Sequence, residues 1–188
     1  MGKKMDKKRM DKKGMGIGQV FVFIVAALTF ALIAIFGYKA VANFLSSAED
    51  VAFVQFKNDL ESDIKRIYTE YGSVRRPTYN APAGFEKICF VDLDAEYDPG
   101  LCAENPVACD LWQTAQQEKS SGDKSAYDSV DQNVFLIPQA RVPIKVFHIT
   151  ITDEGSQPLG YLCEDIYQGS FTLVLEGKGS HTEISPAR

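Results

Sequence analysis

The side chains able to do chemistry are few in this 188-residue chain, and their spacing assembles none of the common sites. There are two histidines: His148 sits in a strand-like run at 145–152, and His181 in a polar tail. Neither has the neighbours of a Ser/His/Asp or Cys/His arrangement, and no P-loop or nucleophile elbow is present. Gly14-Met15-Gly16-Ile17-Gly18 has the texture of a phosphate loop but precedes an apolar helix and follows no strand. The acidic series Asp92, Asp94, Glu96 and Asp98, followed by Glu104 and Asp110, begins like an EF-hand loop. It lacks the glycine and the distal glutamate of that loop, so a solvated acidic loop fits better than a calcium site. Trp112, with Tyr97, Tyr127 and Tyr161, supplies aromatic surface for a contact or for packing. These residues imply a protein that is not an enzyme, with no catalytic residue, metal ligand or cofactor assigned. An enzyme would require a bound metal or a perturbed pair of carboxylates in a cleft.

The four cysteines, Cys89, Cys102, Cys109 and Cys163, carry the strongest covalent signal. All lie in the C-terminal part, without a CxxC pair or a Cys/His cluster, which favours two disulfides over zinc. Three pairings are possible. The preferred one joins Cys102 to Cys109, closing a short loop around Pro106, and Cys89 to Cys163, tying two strands.

These residues have to be positioned by three unlike stretches of chain. Residues 1–13 hold seven Lys/Arg and two Asp, residues 14–38 hold no charge, and residues 39–188 hold 13 basic and 23 acidic side chains. The overall formal charge of −5 hides that division. Residues 18–38 are apolar over the length of a hydrocarbon core, and Tyr38 and Lys39 form an interfacial collar. Seven basic residues precede the span and only Lys39 follows closely, so the basic end is expected in the cytoplasm and the rest outside. The bilayer is therefore an expected partner, and the basic run is better explained by topology than by nucleic acid, which is not expected as one. A secretory signal cut after Ala40-Val41-Ala42, before Asn43, competes with this reading. The apolar run is longer than a usual signal core, which favours a retained anchor.

From Lys39 to Tyr71 there is no Gly or Pro. Leu45, Ala48, Ala52, Phe56, Leu60, Ile64, Ile67 and Tyr71 recur at steps of three or four, which predicts an amphipathic stem helix capped at Gly72. A break is possible at Ser46-Ser47. From Phe56 onward the stripe is expected to pack on its own domain. For Phe44, Leu45 and Val51, nearer the membrane, packing on the domain and self-assembly with copies stand level.

Beyond Pro77 short apolar runs alternate with turn residues. Strands are predicted at 84–93, 133–138, 144–152 and 170–175, with a shorter one near 159–163. Residues 107–119 read as a helix with Asn105 as N-cap and Pro106 in its first turn, and 122–131 as a polar loop. The fold class is therefore α+β: a long N-terminal transmembrane and amphipathic helix, then a small antiparallel β-sheet head with disulfides. The division is a basic cytoplasmic tail or leader at 1–13, a transmembrane helix at 14–38, a stem at 39–72 and an extracytoplasmic head at 73–188.

Lys12-Lys13-Gly14, Gly18-Gln19, an apolar helix running into an amphipathic one and a disulfide-bearing head together resemble the class III signal peptides of archaeal type IV pilin-like proteins. The resemblance implies processing on the cytoplasmic side, before the apolar segment, with the cut after Gly18, Gly14 or Gly16 and helices bundled into a filament. One departure is that, with the cut after Gly18, Phe23 stands where bacterial-type pilins carry a glutamate, five residues into the mature helix. GQVFVFIVAALTFALIAIFGYKAV, FKNDLESDIKRI, YGSV and CFVDLD also resemble small uncharacterised archaeal membrane-anchored proteins. The expectation is a non-enzymatic single-pass surface protein, a pilin-like structural or assembly subunit whose partners are copies of itself or other membrane and surface proteins. The alternative is a monomeric membrane-anchored binding or accessory module of a larger membrane complex.

Overall fold

Thirty-odd residues without a helix breaker, most of them straight-chain or apolar, dictate one element at the start of the chain. The computed structural model describes residues 17–122 and 125–187, and in it helix α1 runs Ile17–Tyr68. The backbone is helical through Ser46 and Ser47. The chain divides into two compact units, Met1–Ser47 and Ala48–Arg188. In the first unit, Val20–Val41 is 22 residues long, apolar, and without any burial inside the protein. Length and composition make it able to cross a membrane.

In the second unit, α1 contributes Phe56, Leu60, Ile64 and Ile67 to the core, so the predicted stripe packs on its own domain from Phe56 onward. Its last predicted member does not. The helix stops at Tyr68, and Tyr71 is 82% exposed. The cause is a turn: Gly72, at φ +74°, donates its N–H to the Gly177 carbonyl, and Ser73 accepts from Gly177. Gly72 thus makes a turn into the sheet rather than a helix cap, a conformation glycine adopts at least cost.

The first two strands, β1 (Val74–Arg75) and β2 (Thr78–Asn80), are short and separated by Arg76-Pro77. They are followed by β3 (Lys87–Val91), α2 (Leu101–Glu104), α3 (Pro106–Ser121) and α4 (Ala126–Ser129). The chain closes with β4 (Val134–Ile137), β5 (Ile149–Thr152), β6 (Pro158–Leu159), β7 (Tyr161–Asp165), β8 (Ser170–Gly177) and β9 (Thr182–Pro186). Six strands form one sheet in the order β1-β8-β9-β5-β6, with β2 also pairing to β8, and three form another in the order β4-β3-β7. The pairings are antiparallel except β5 with β9, which is parallel. The fold is α+β, as the sequence implies, with one mixed sheet.

Strand β3 explains the division of the core. Residues Ile88 to Val91 are buried without alternation, the pattern of a strand covered on both faces. Ile88 and Phe90 face a core shared with α1, β8 and β9, whereas Cys89 and Val91 face a second core built on Leu101 of α2 and on Ala108 and Trp112 of α3. Strand β8 alternates strictly, with Phe171, Leu173 and Leu175 inward, as expected of a strand with one buried face. Thr182 on β9 donates its hydroxyl to the Ile64 carbonyl at 2.9 Å, tying that strand to α1.

The local signals around α3 hold. Asn105 accepts from the Ala108 N–H at 3.1 Å, Pro106 opens the helix, and Gly122 ends it in the left-handed region. The predicted loop at 122–131 contains α4, capped by Ser125, which accepts from Asp128 N–H at 3.1 Å.

Candidate functional site

The predicted disulfides are both formed. In the β3–β7 register Cys89 lies opposite Cys163, with Cα atoms 4.0 Å apart. Cys102 in α2 joins Cys109 in the first turns of α3 at a Cα separation of 4.9 Å. The Tyr97 hydroxyl lies 3.2 and 3.1 Å from the two sulfurs of that second bridge. No cysteine is left free to ligate zinc among the described residues.

The expected processing residues divide. Gly14 lies outside the described residues, Gly18 and Gln19 are in the first turn of α1, and the Gln19 side chain is not among those described. A side chain at Gly18 would meet open space. Of the expected self-assembly residues, Phe44 in the first unit is 73% exposed and Val51 in the second is 66% exposed. The Leu45 side chain lies outside the described residues. The sequence reading passed over Val54, one turn on from Val51 and 53% exposed, which shares with it a shallow hollow bordered by Asp50, Gln55, Asn58 and Asp59.

The acidic series does not converge on one point. Glu104 pairs with Lys87 at 2.6 Å and Asp94 with Lys119 at 3.6 Å. Asp98 accepts from the Gly100 N–H at 2.8 Å, and Asp92 from the Asp94 N–H at 3.0 Å. No three His, Cys, Asp or Glu side chains gather in a metal-binding group among the described residues. What the fold does build is a cleft of about 830 Å³, in which Asp92, Glu96 and Asp98 face Thr150, His181 and Glu183, with Tyr97 and Ile151 as apolar wall. Burial, reinforced by the Asp94 charge, lifts the Asp92 carboxyl to about 6 against the pull of backbone N–H groups and Lys119. Glu183 is shared with Lys178 at 3.4 Å. Such a cleft can receive a cation or exchange a proton through Asp92 in mildly acidic solution. Its residues come from segments far apart in sequence, the loop after β3 and the strands β5 and β9 among them, and only the acidic run marked one wall in advance.

The histidines serve other purposes. His148 stacks on Tyr127, with ring centroids 4.1 Å apart, and packs edge-on to Phe147 at 4.8 Å. His181 is paired through Nδ1 with the Ser180 hydroxyl at 3.1 Å, and its carbonyl accepts from the Lys178 N–H. Trp112 is fully buried beside Tyr97, so the aromatic group is core rather than contact surface at that position.

Against this geometry, no protein-family model, no curated protein and no solved structure matches the chain.

Proposed function

We propose that this chain is a non-enzymatic, single-pass surface protein of pilin-like architecture, anchored by Val20–Val41, whose stem helix packs against copies of itself. One observation carries the reading. On the part of α1 that belongs to the head unit, Phe56, Leu60, Ile64 and Ile67 are buried, while Val51 and Val54 remain 66% and 53% exposed. A helix whose apolar stripe is already covered, and which still displays large apolar side chains on exposed turns, has a face available to a partner. The seven basic residues ahead of the span support a cytoplasmic N-terminus, and two disulfides support an oxidising compartment for the head. The resemblance to archaeal type IV pilin-like proteins adds cytoplasmic-side processing after Gly18, Gly14 or Gly16.

The deciding experiment is the mass of the N-terminal peptide of protein recovered from its native membrane. A start at Gln19, Met15 or Ile17 supports the pilin-like subunit. A start at Met1 or Gly2 leaves an anchored module without processing, and a start at Asn43 removes the anchor. The second reading, a membrane-anchored extracytoplasmic binding or accessory module, is favoured by the acidic cleft around Asp92, which a purely structural head does not require.

A further inference from the structure

We propose that the outer edge of β7 receives an extended segment of a partner protein by antiparallel strand addition, with a lysine or arginine of that segment opposite Cys163. The edge lies wholly within the head unit, and the inference is independent of the assembly reading.

The ladder between β3 and β7 fixes which backbone groups face outward. Asp92 donates its N–H to the Gly160 carbonyl and Ile166 donates to the Glu86 carbonyl, so the even-numbered residues of β7 are the ones bonded to β3. Bonded and non-bonded pairs alternate along an antiparallel ladder. Tyr161, Cys163 and Asp165 therefore turn their N–H and C=O groups away from β3, and β7 pairs with no second strand among the described residues.

The other sheet ends are covered or short. Beside β4, Asn133 and Val134 both donate to the Ile144 carbonyl at 3.2 Å, and the Asn133 side chain bonds the Val146 backbone twice. The six-stranded sheet ends in strands of two or three residues. Strand β7 has five residues, four half-buried and Asp165 exposed. The Cys89–Cys163 bridge pins it to β3, so the edge is presented already ordered. A row of unpaired groups on such a strand is a template for another chain.

Charge selects the occupant. A groove of about 310 Å³ is lined by the consecutive residues 159–163 and by Lys87, Asp98 and Glu104. Lys87 is shared between Glu104 at 2.6 Å and Asp165 at 3.7 Å, so with Asp98 one ammonium stands against three carboxylates. Side chains at 161, 163 and 165 share one face of the strand. A residue added opposite Cys163 points to that same face, between Tyr161 and Asp165, where a positive side chain compensates the excess. A second copy of β7 pairing about Cys163 would instead join two negative grooves, so a foreign basic segment fits better.

The test is fluorescence anisotropy of a labelled, alternating Thr/Val nonapeptide with lysine at its centre, titrated with the full chain in non-ionic detergent. We expect saturable binding, at least about tenfold weaker when the central lysine is replaced by glutamate, because attraction becomes repulsion. N-methylation of the lysine and of the residues two away on either side removes the donors that face β7, and is expected to abolish binding. The same modification at the intervening residues is expected to leave it. Asp165→Pro deletes an outward N–H and no ladder bond to β3, so it should lose the peptide and keep the melting temperature. Asp98→Asn still accepts from the Gly100 N–H and should weaken the lysine peptide by about threefold or more, without affecting one with threonine at its centre. Absence of saturable binding, equal affinity of the glutamate peptide, or indifference to the position of the N-methyl groups overturns the proposal. Self-association of the chain that Asp165→Pro removes, without peptide binding, assigns the edge to a second copy and overturns it equally. The N-terminal mass, which tests the assembly reading, is unaffected by any of these outcomes.

Discussion

Asp92 stands where β3 leaves the sheet, and its carboxyl ionises near 6 instead of the usual 3.8 because burial disfavours the charged form. The consequence for stability has a definite sign. Between about pH 4 and pH 6 the folded state holds this proton more tightly than the unfolded chain, so the contribution of Asp92 to stability falls as pH rises through that window. A shift of this size corresponds to about 1–3 kcal/mol. Asp92→Asn keeps an oxygen to accept the Asp94 N–H and cannot ionise. We expect it to melt higher than wild type at pH 7, with the difference shrinking towards pH 4. An equal difference at both pH values would refute this account. Gly160 makes a second test at the same scale. A methyl group there overlaps the edge of the Trp112 ring, and Trp112 is fully buried and cannot retreat. Gly160→Ala should cost about 1–3 kcal/mol by overpacking and perturb the fluorescence of the chain's single tryptophan. Unchanged melting and emission would mean that the ring has room to move.

The elements were legible in the sequence wherever a pattern is long or a local cap is specific. Phe56, Leu60, Ile64 and Ile67 mark the buried helix face by spacing, and Asn105-Pro106 marks the start of α3 by chemistry. The missed elements have neither signal. In β9 the run Thr-Glu-Ile-Ser-Pro carries one large apolar residue, Ile184, and its parallel partner β5 is separated from it by three other strands in sequence. Strands β1 and β2 are two and three residues long and interrupted by Pro77, so no period can develop. The cysteines were the exception: their preferred pairing is the one the strand register and the α2–α3 junction bring together. Their separations of 74 and 7 residues rank the two bridges. Loop-closure entropy assigns about 4.5 kcal/mol to the longer loop and about 2.5 to the shorter. Replacing Cys89 and Cys163 together by Ala should therefore lower the urea midpoint more than replacing Cys102 and Cys109. The reverse order would show that the bridge within the helical junction, not the one between β3 and β7, limits the head's stability.

At the scale of the whole molecule, composition alone separates a basic first stretch, an uncharged apolar one and an acidic remainder, and the structure adds which apolar side chains each unit leaves uncovered. Phe44 and Val51 were singled out from position along the helix, and both are exposed. The cleft around Asp92 was not legible as a site, because it is closed by residues that meet only after distant segments pack. Exposure also makes Val51 a clean probe. Changing it to Glu removes little packing within the head, so the melting temperature should be preserved within about 0.5 kcal/mol of equivalent stability. If copies bury this turn against one another, the same change places an unpaired carboxylate in an apolar contact at a cost of several kcal/mol. We expect Val51→Glu, compared with wild type by chemical cross-linking in the native membrane, to lose its multimers while the head still melts as before. Leu60→Glu supplies the contrast, since Leu60 is fully buried and its replacement should unfold the head itself. Multimers that survive Val51→Glu with an intact head would exclude this helix face as the assembly surface, and the anchored binding module would then account better for the cleft around Asp92.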